Sequence, residues 1–137
     1  MKLFSILYEE LGKQRKVSLA VLKYEDKVLI LKRVMNKNDR HGGRWGFPGG
    51  GIEEGETALE AVIRECEEEI GVRPIGLEYL SQNGRITWFL GELPCNPEEC
   101  VSLDYGEHDD WEMVGIDDMG GYDMIEGMRE LISDVVS

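Results

Sequence analysis

The chain has 137 residues, 42% of them hydrophobic, which is enough for one domain with a proper core. No apolar run approaches the roughly 20 residues that span a bilayer. Twenty-eight acidic residues against fifteen basic ones leave a net charge of −13, a surface that repels nucleic acid and anionic membrane at long range and argues against both as partners. Glu9 and Glu10 come too early for a signal peptide, so the cytoplasm is the expected location. The three cysteines, Cys66, Cys95 and Cys100, show no C-x-x-C spacing, and reduced thiols are expected. Cys95, Cys100 and His108 have neither the spacing nor the fourth ligand of a common zinc site.

In chain order, Leu3, Phe4, Leu7, Tyr8 and Leu11 recur at helical spacing before Gly12 and predict a short amphipathic helix. Residues 17–23 and 27–34 are apolar and β-branched with Glu25-Asp26 between them, the pattern of a hairpin. Residues 36–44 read as a polar loop. Thr57 starts a helix whose buried stripe is Ala58, Ala61, Val62 and Cys66, and Gly71 ends it. Residues 76–81 and 85–93 read as strands joined through Gln82-Asn83-Gly84. Residues 94–109 read as a long loop, 111–116 as a strand and 122–136 as a closing helix. This order predicts an α/β domain with a mixed sheet between helices.

The helix from Thr57 to Gly71 carries the chemistry. Glu65, Glu68 and Glu69 fall at i, i+3 and i+4 and share one face. Acids in a last turn oppose the helix dipole, and like charges at i,i+4 cost about 0.2–0.5 kcal/mol per pair. A hard divalent cation, which takes carboxylate oxygens as ligands, is the simplest compensation. Glu67 falls off the face and reads as a surface residue.

The full run is Gly50-x5-Glu56-x7-Arg64-Glu65-Cys66-x-Glu68-Glu69-x-Gly71-Val72, approached through Trp45-Gly46-Phe47-Pro48-Gly49. It resembles the Nudix box at every fixed position, with Cys66 where an aliphatic residue is usual. Free Cys packs as a small hydrophobe, so the departure is minor. The resemblance implies a single Nudix hydrolase domain over residues 1–137, folded as an α/β/α sandwich, with the box at 50–72. It implies Mg2+ or Mn2+ held by Glu65, Glu68, Glu69 and the carbonyl of Gly49. It also implies that Arg64, with Glu56 in reach, orients a box glutamate. The implied reaction is hydrolysis of a nucleoside diphosphate linked to another group. Glu68 or Glu69 serves as general base, or else a downstream acid, Glu107 before Asp110. Many family members are dimers, which leaves a homodimer open, with either terminal helix as the interface.

Outside the box the substrate signal is thin. Thr87 stands where relatives acting on ADP-ribose tend to carry Pro, and Trp88 where diadenosine polyphosphate hydrolases tend to carry Tyr. The approach to the glycines only partly resembles the coenzyme A subfamily. Arg85-Ile86-Thr87-Trp88-Phe89 is similar to a strand of the MutT branch, which points to a nucleoside triphosphate as substrate. Trp88 or Trp111 is then available to stack on a base, Arg85 to reach a base edge or phosphate, and Arg40, His41 and Arg44 to neutralise phosphate. Tryptophan on a strand is more often core. An RNA 5′ cap and a catalytically silent nucleotide sensor are the alternatives. The charge disfavours the first, and the intact box glutamates disfavour the second.

Overall fold

The computed structural model describes residues 15–35, 41–125 and 128. The N-terminal helix expected over residues 3–11 and most of the closing helix lie outside these residues. One mixed sheet organises the rest. Its strands are β1 (Val17–Tyr24), β2 (Lys27–Arg33), β3 (Trp45–Gly46), β4 (Gly49–Gly51), β5 (Ile75–Asn83), β6 (Ile86–Glu92) and β7 (His108–Val114). The order β3-β2-β1-β6-β5 is extended by β4 on β1 and β7 on β2. Only the β1–β6 pairing is parallel.

Strand periodicity gives this sheet two cores. Side chains alternate faces along a strand, so Ala20, Leu22, Leu29 and Leu31 go to one cluster and Val17, Leu19, Val21, Val28 and Ile30 to the other. The first cluster is covered by helix α1 (Ala58–Ile70) through Val62, Cys66 and Ile70. The second is closed by Phe47, Trp88 and Met119, the last from a 3-10 helix over Ile116–Gly121. Each of these side chains contributes about 1.5–3 kcal/mol when fully buried. No helix among the described residues is long and apolar enough to cross a membrane.

Three features differ from the sequence expectation. The glycine approach forms the short strands β3 and β4, to which the residue pattern assigns no element. Strand β4 takes the place of β2 beside the first half of β1, which pairs with β2 only at Lys23–Val28 and Tyr24–Lys27, while β3 pairs with β2. Residues 94–109 contain a helical turn, α2 (Pro97–Cys100), which brings the Cα atoms of Cys95 and Cys100 to 6.2 Å, and the two are joined as a disulfide. Bridging range is set by that local turn, which cysteine spacing alone does not reveal. Residues 122–125 begin extended rather than helical, with Met124 bridging to Trp45.

Candidate metal and catalytic site

Helix α1 is fixed at both ends. Thr57 caps its N-terminus in a reciprocal box with Glu60, which satisfies two otherwise orphaned N–H groups. Ser18, fully buried on β1, donates its hydroxyl to the Ala58 carbonyl at 2.8 Å and ties the helix start to the sheet. Gly71 closes the other end in the left-handed region at φ 69°. The last-turn carbonyls find partners in the loop after β6. Ser102 N–H donates to the Ile70 carbonyl and Asp104 N–H to that of Glu69, both at 2.9 Å.

These anchors decide where the carboxylates go. Glu65 and Glu69 are buried, 5% and 2% exposed, facing β4. Gly49 donates its N–H to Glu69 Oε1 at 2.9 Å. A Cβ on Gly50 would stand 2.6 Å from the Glu65 carboxyl carbon, so only glycine lets that carboxylate lie on the strand. Glu68 is exposed at the edge of the site, its side chain 41% accessible. Glu67 is exposed too.

Arg64 is the hub of one side. Its Nε and Nη2 reach the two carboxylate oxygens of Glu56 at 2.7 and 3.0 Å, Nη1 reaches Glu65 Oε2 at 3.0 Å, and Nη2 also donates to the Gly51 carbonyl at 3.0 Å. Glu68 Oε2 lies 3.5 Å from Nη1. Hydrogen bonding to Arg64, helped by the Glu53 N–H, holds the Glu56 carboxyl below its ordinary value. The same contacts, Glu56 foremost, push the guanidinium further up. Glu60, at i,i+4 from Arg64, is engaged in the helix cap instead.

The other side is built by the loop before β7. Glu107 and His108 both donate their backbone N–H to the Asp104 carbonyl, and the Glu107 carbonyl accepts from Val34 N–H at 3.0 Å. Both side chains are buried, each 4% exposed. Arg33 Nη1 lies 3.8 Å from Glu107 Oε1. Glu69, Glu107 and His108 bring one potential ligand atom each to within 4.8 Å of one another, and among the described residues no other three His, Cys, Asp or Glu do so. The three box glutamates are therefore not themselves gathered around one point: Glu69 belongs with the β7 pair, while Glu65 and Glu68 gather at Arg64.

The donor set, two buried carboxylates and an imidazole with one glutamate oriented by a backbone N–H, suits a hard or borderline divalent cation. No sequence signal pairs His108 with Glu69, because His108 is next to Glu107 and neighbouring strand residues ordinarily face opposite ways. Cys95 and Cys100 are tied up in their disulfide.

The expected substrate residues separate. Arg44 is half-exposed, 3.9 Å from Asp123, and its carbonyl accepts from Arg33 N–H, which sets it at the edge where Arg33 meets Glu107. Arg85 is exposed at the β5–β6 turn. Trp88 has no open face for a base: it is 0% exposed and meets Phe47 edge-on at 5.5 Å. Its place on β6, which is flanked on both sides by other strands, puts it in the core. Trp111, by contrast, lines a cavity of about 560 Å3 with Tyr24, Asn96, Pro97, Asp110 and Met113. Asp110 is exposed and accepts from Trp111 N–H. Arg40 lies outside the described residues.

The NUDIX domain family model matches residues 12–135. A 56-residue stretch, 41% of the chain, is 52% identical to an RNA pyrophosphohydrolase from Helicobacter pylori strain P12 and spans about a third (34%) of that protein's length. A second RNA pyrophosphohydrolase, from Francisella tularensis subsp. mediasiatica, is 28% identical over 133 residues, covering 79% of this chain and 81% of its own. Among solved structures, a MutT Nudix hydrolase from Burkholderia pseudomallei superposes with a TM-score of 0.67 at 21% identity, over 90% of this chain and 98% of its own, a likeness of fold.

Proposed function

Since the chain belongs to the Nudix hydrolase family, we propose that it is a divalent-cation-dependent pyrophosphohydrolase that splits a nucleoside triphosphate into a monophosphate and pyrophosphate. The observation that carries this reading is the buried acidic centre in which Glu69, held by Gly49 N–H, meets Glu107 beside the Arg64-bound Glu65. Glu65, Glu69 and the Gly49 carbonyl would hold the cation, with Glu107 as a further oxygen ligand beside Glu69. When bound, Mg2+ or Mn2+ supplies Lewis acidity and screens phosphate charge.

The chain's own groups do the rest. Arg64 holds Glu65 through a planar fork that a lysine cannot reproduce. The sequence ranked Glu107 first among downstream acids as general base. Its side chain is enclosed and lies 3.8 Å from Arg33 Nη1, and we assign proton acceptance to Glu68, the one of Glu65, Glu68 and Glu69 that is open to solvent. Glu68 takes the proton from the attacking water as the phosphoanhydride breaks. Arg33 and Arg44, at the edge beside Glu107, meet the substrate phosphates. Trp111 takes the base, about 10 Å along β7 from His108 at strand rise.

A second reading, pyrophosphate removal from an RNA 5′ triphosphate, is favoured by the names of the two relatives. The net charge of −13 opposes it, because RNA binding draws on basic surface. Product analysis with Mg2+ separates the readings. The panel holds canonical and oxidised nucleoside triphosphates, ADP-ribose, coenzyme A, diadenosine polyphosphate and 5′-triphosphorylated RNA. Pyrophosphate plus a nucleoside monophosphate supports the first reading. Turnover of the RNA alone replaces it with the second, and turnover of ADP-ribose, coenzyme A or the dinucleotide alone overturns both.

A further inference from the structure

We infer that His108 supplies a nitrogen ligand to the cation held at Glu69 and Glu107, so that this centre prefers Mn2+ to Mg2+. The inference rests on the cation-dependent reading above. Its basis is local geometry. Glu107 and His108 are neighbours, and in a regular strand they would point to opposite faces. The β2–β7 ladder slips here: Lys32 pairs with Asp110, but Arg33 pairs with His108, leaving Asp109 as an extra residue. Such a bulge re-aims the side chains beside it. Together with the turn in which both N–H groups bond the Asp104 carbonyl, it brings Glu107 and His108 onto the same glutamate.

The dimensions suit one ion. Donors about 2.1 Å from a common ion lie about 3–4.2 Å apart, so the group, whose atoms fall within 4.8 Å of one another, closes on one ion with each ligand atom moving by less than about 1 Å. All three side chains are at least nine-tenths buried. Gly49 N–H orients Glu69 through one of its oxygens. Mg2+ keeps a near-ideal shell of oxygens and gives up water reluctantly. Mn2+ shares its taste for carboxylates, but as a first-row transition ion it accepts an imidazole nitrogen more readily than Mg2+, though less tightly than the later transition ions. One imidazole among carboxylates therefore shifts the choice.

The test uses the full-length protein stripped with chelator and titrated with Mn2+ or Mg2+, followed by Mn2+ spin resonance with electron spin echo detection of coupled nitrogen. The chain has two histidines, His41 and His108. Imidazole nitrogen coupling is expected in the parent protein and in His41→Gln, and is expected to vanish in His108→Gln. Mn2+ should bind at least about tenfold tighter than Mg2+. His108→Gln should lower Mn2+ affinity by about 10–100-fold and Mg2+ affinity by less than about threefold. Bound Mn2+ without nitrogen coupling, coupling that survives His108→Gln, or no Mn2+ binding at all overturns the inference. If His108→Gln fails to fold, the parent and His41→Gln spectra decide alone. Mg2+-driven hydrolysis with no nitrogen signal rejects this inference and keeps the proposed function. Nitrogen-bound Mn2+ in a protein that hydrolyses no nucleotide does the reverse.

Discussion

Gly49 gives its backbone N–H to Glu69 at 2.9 Å from a backbone at φ 140°, where a Cβ would stand 2.2 Å from the Ser18 carbonyl oxygen. One residue thus meets three demands: it pairs with β1, orients a buried carboxylate and takes a conformation that L side chains avoid. Gly49→Ala should cost about 2 kcal/mol or more, from strain and from forced movement of β4 away from β1. Chemical denaturation measures it, and a loss under about 0.5 kcal/mol would show that the strand adapts freely.

Arg64→Lys keeps the charge but loses the fork that holds both Glu56 oxygens and Glu65. Activity should fall by about 10–100-fold, as when a group supporting a metal ligand is removed. Because Arg64 is only partly buried, stability should drop by no more than about 1 kcal/mol. Parent-like turnover with Mg2+ would reduce Arg64 to a surface ion pair.

Arg64 holds the Glu56 carboxyl below its ordinary range. A carboxylate whose folded value is depressed binds its proton more readily in the unfolded chain. Its stabilising effect is therefore complete above the unfolded value, about 4.3, and is lost as pH falls through the lower folded value. The stability difference between the parent and Glu56→Gln should be constant above about pH 5.5 and shrink below about pH 4.3. Urea melts from pH 3 to 7 follow it. A difference that grows on acidification contradicts the assigned pairing.

Cys66 packs under α1 at 0% exposure. Burial, then the negative charges of Glu69 and Glu65, pushes its thiol well above the usual range. The reactive species is the thiolate. A water-soluble thiol reagent at pH 8 should leave Cys66 unmodified in the native protein and label it on unfolding. Rapid labelling of the native protein would place Cys66 at an accessible surface.

Much of this could be read from residue pattern. The β1–β2 hairpin, the β5–β6 pair and both ends of α1 carry strong local signals, namely alternation, Asn-Gly, a threonine cap and a terminal glycine. The box glutamates were legible because three acids on one helical face disfavour the helix unless something compensates. What stayed hidden depends on tertiary placement. Strands β3 and β4 are largely glycine and have no side-chain alternation to detect. The Cys95–Cys100 pairing needs the turn at Pro97. Trp88 looks the same in sequence whether its strand is edge or interior. His108 joins Glu69 through a single-residue slip between β2 and β7, which one sequence does not display.

Hydrolysis of a nucleoside triphosphate at the centre around Glu69 has a direct test. Pyrophosphate release from a triphosphate panel with Mg2+ should be measured for the parent and for Glu69→Gln, with melting temperatures recorded beside it. Steady release by the parent and a loss of about 100-fold or more in the variant are expected, with the fold retained. Equal turnover by a folded Glu69→Gln would contradict it.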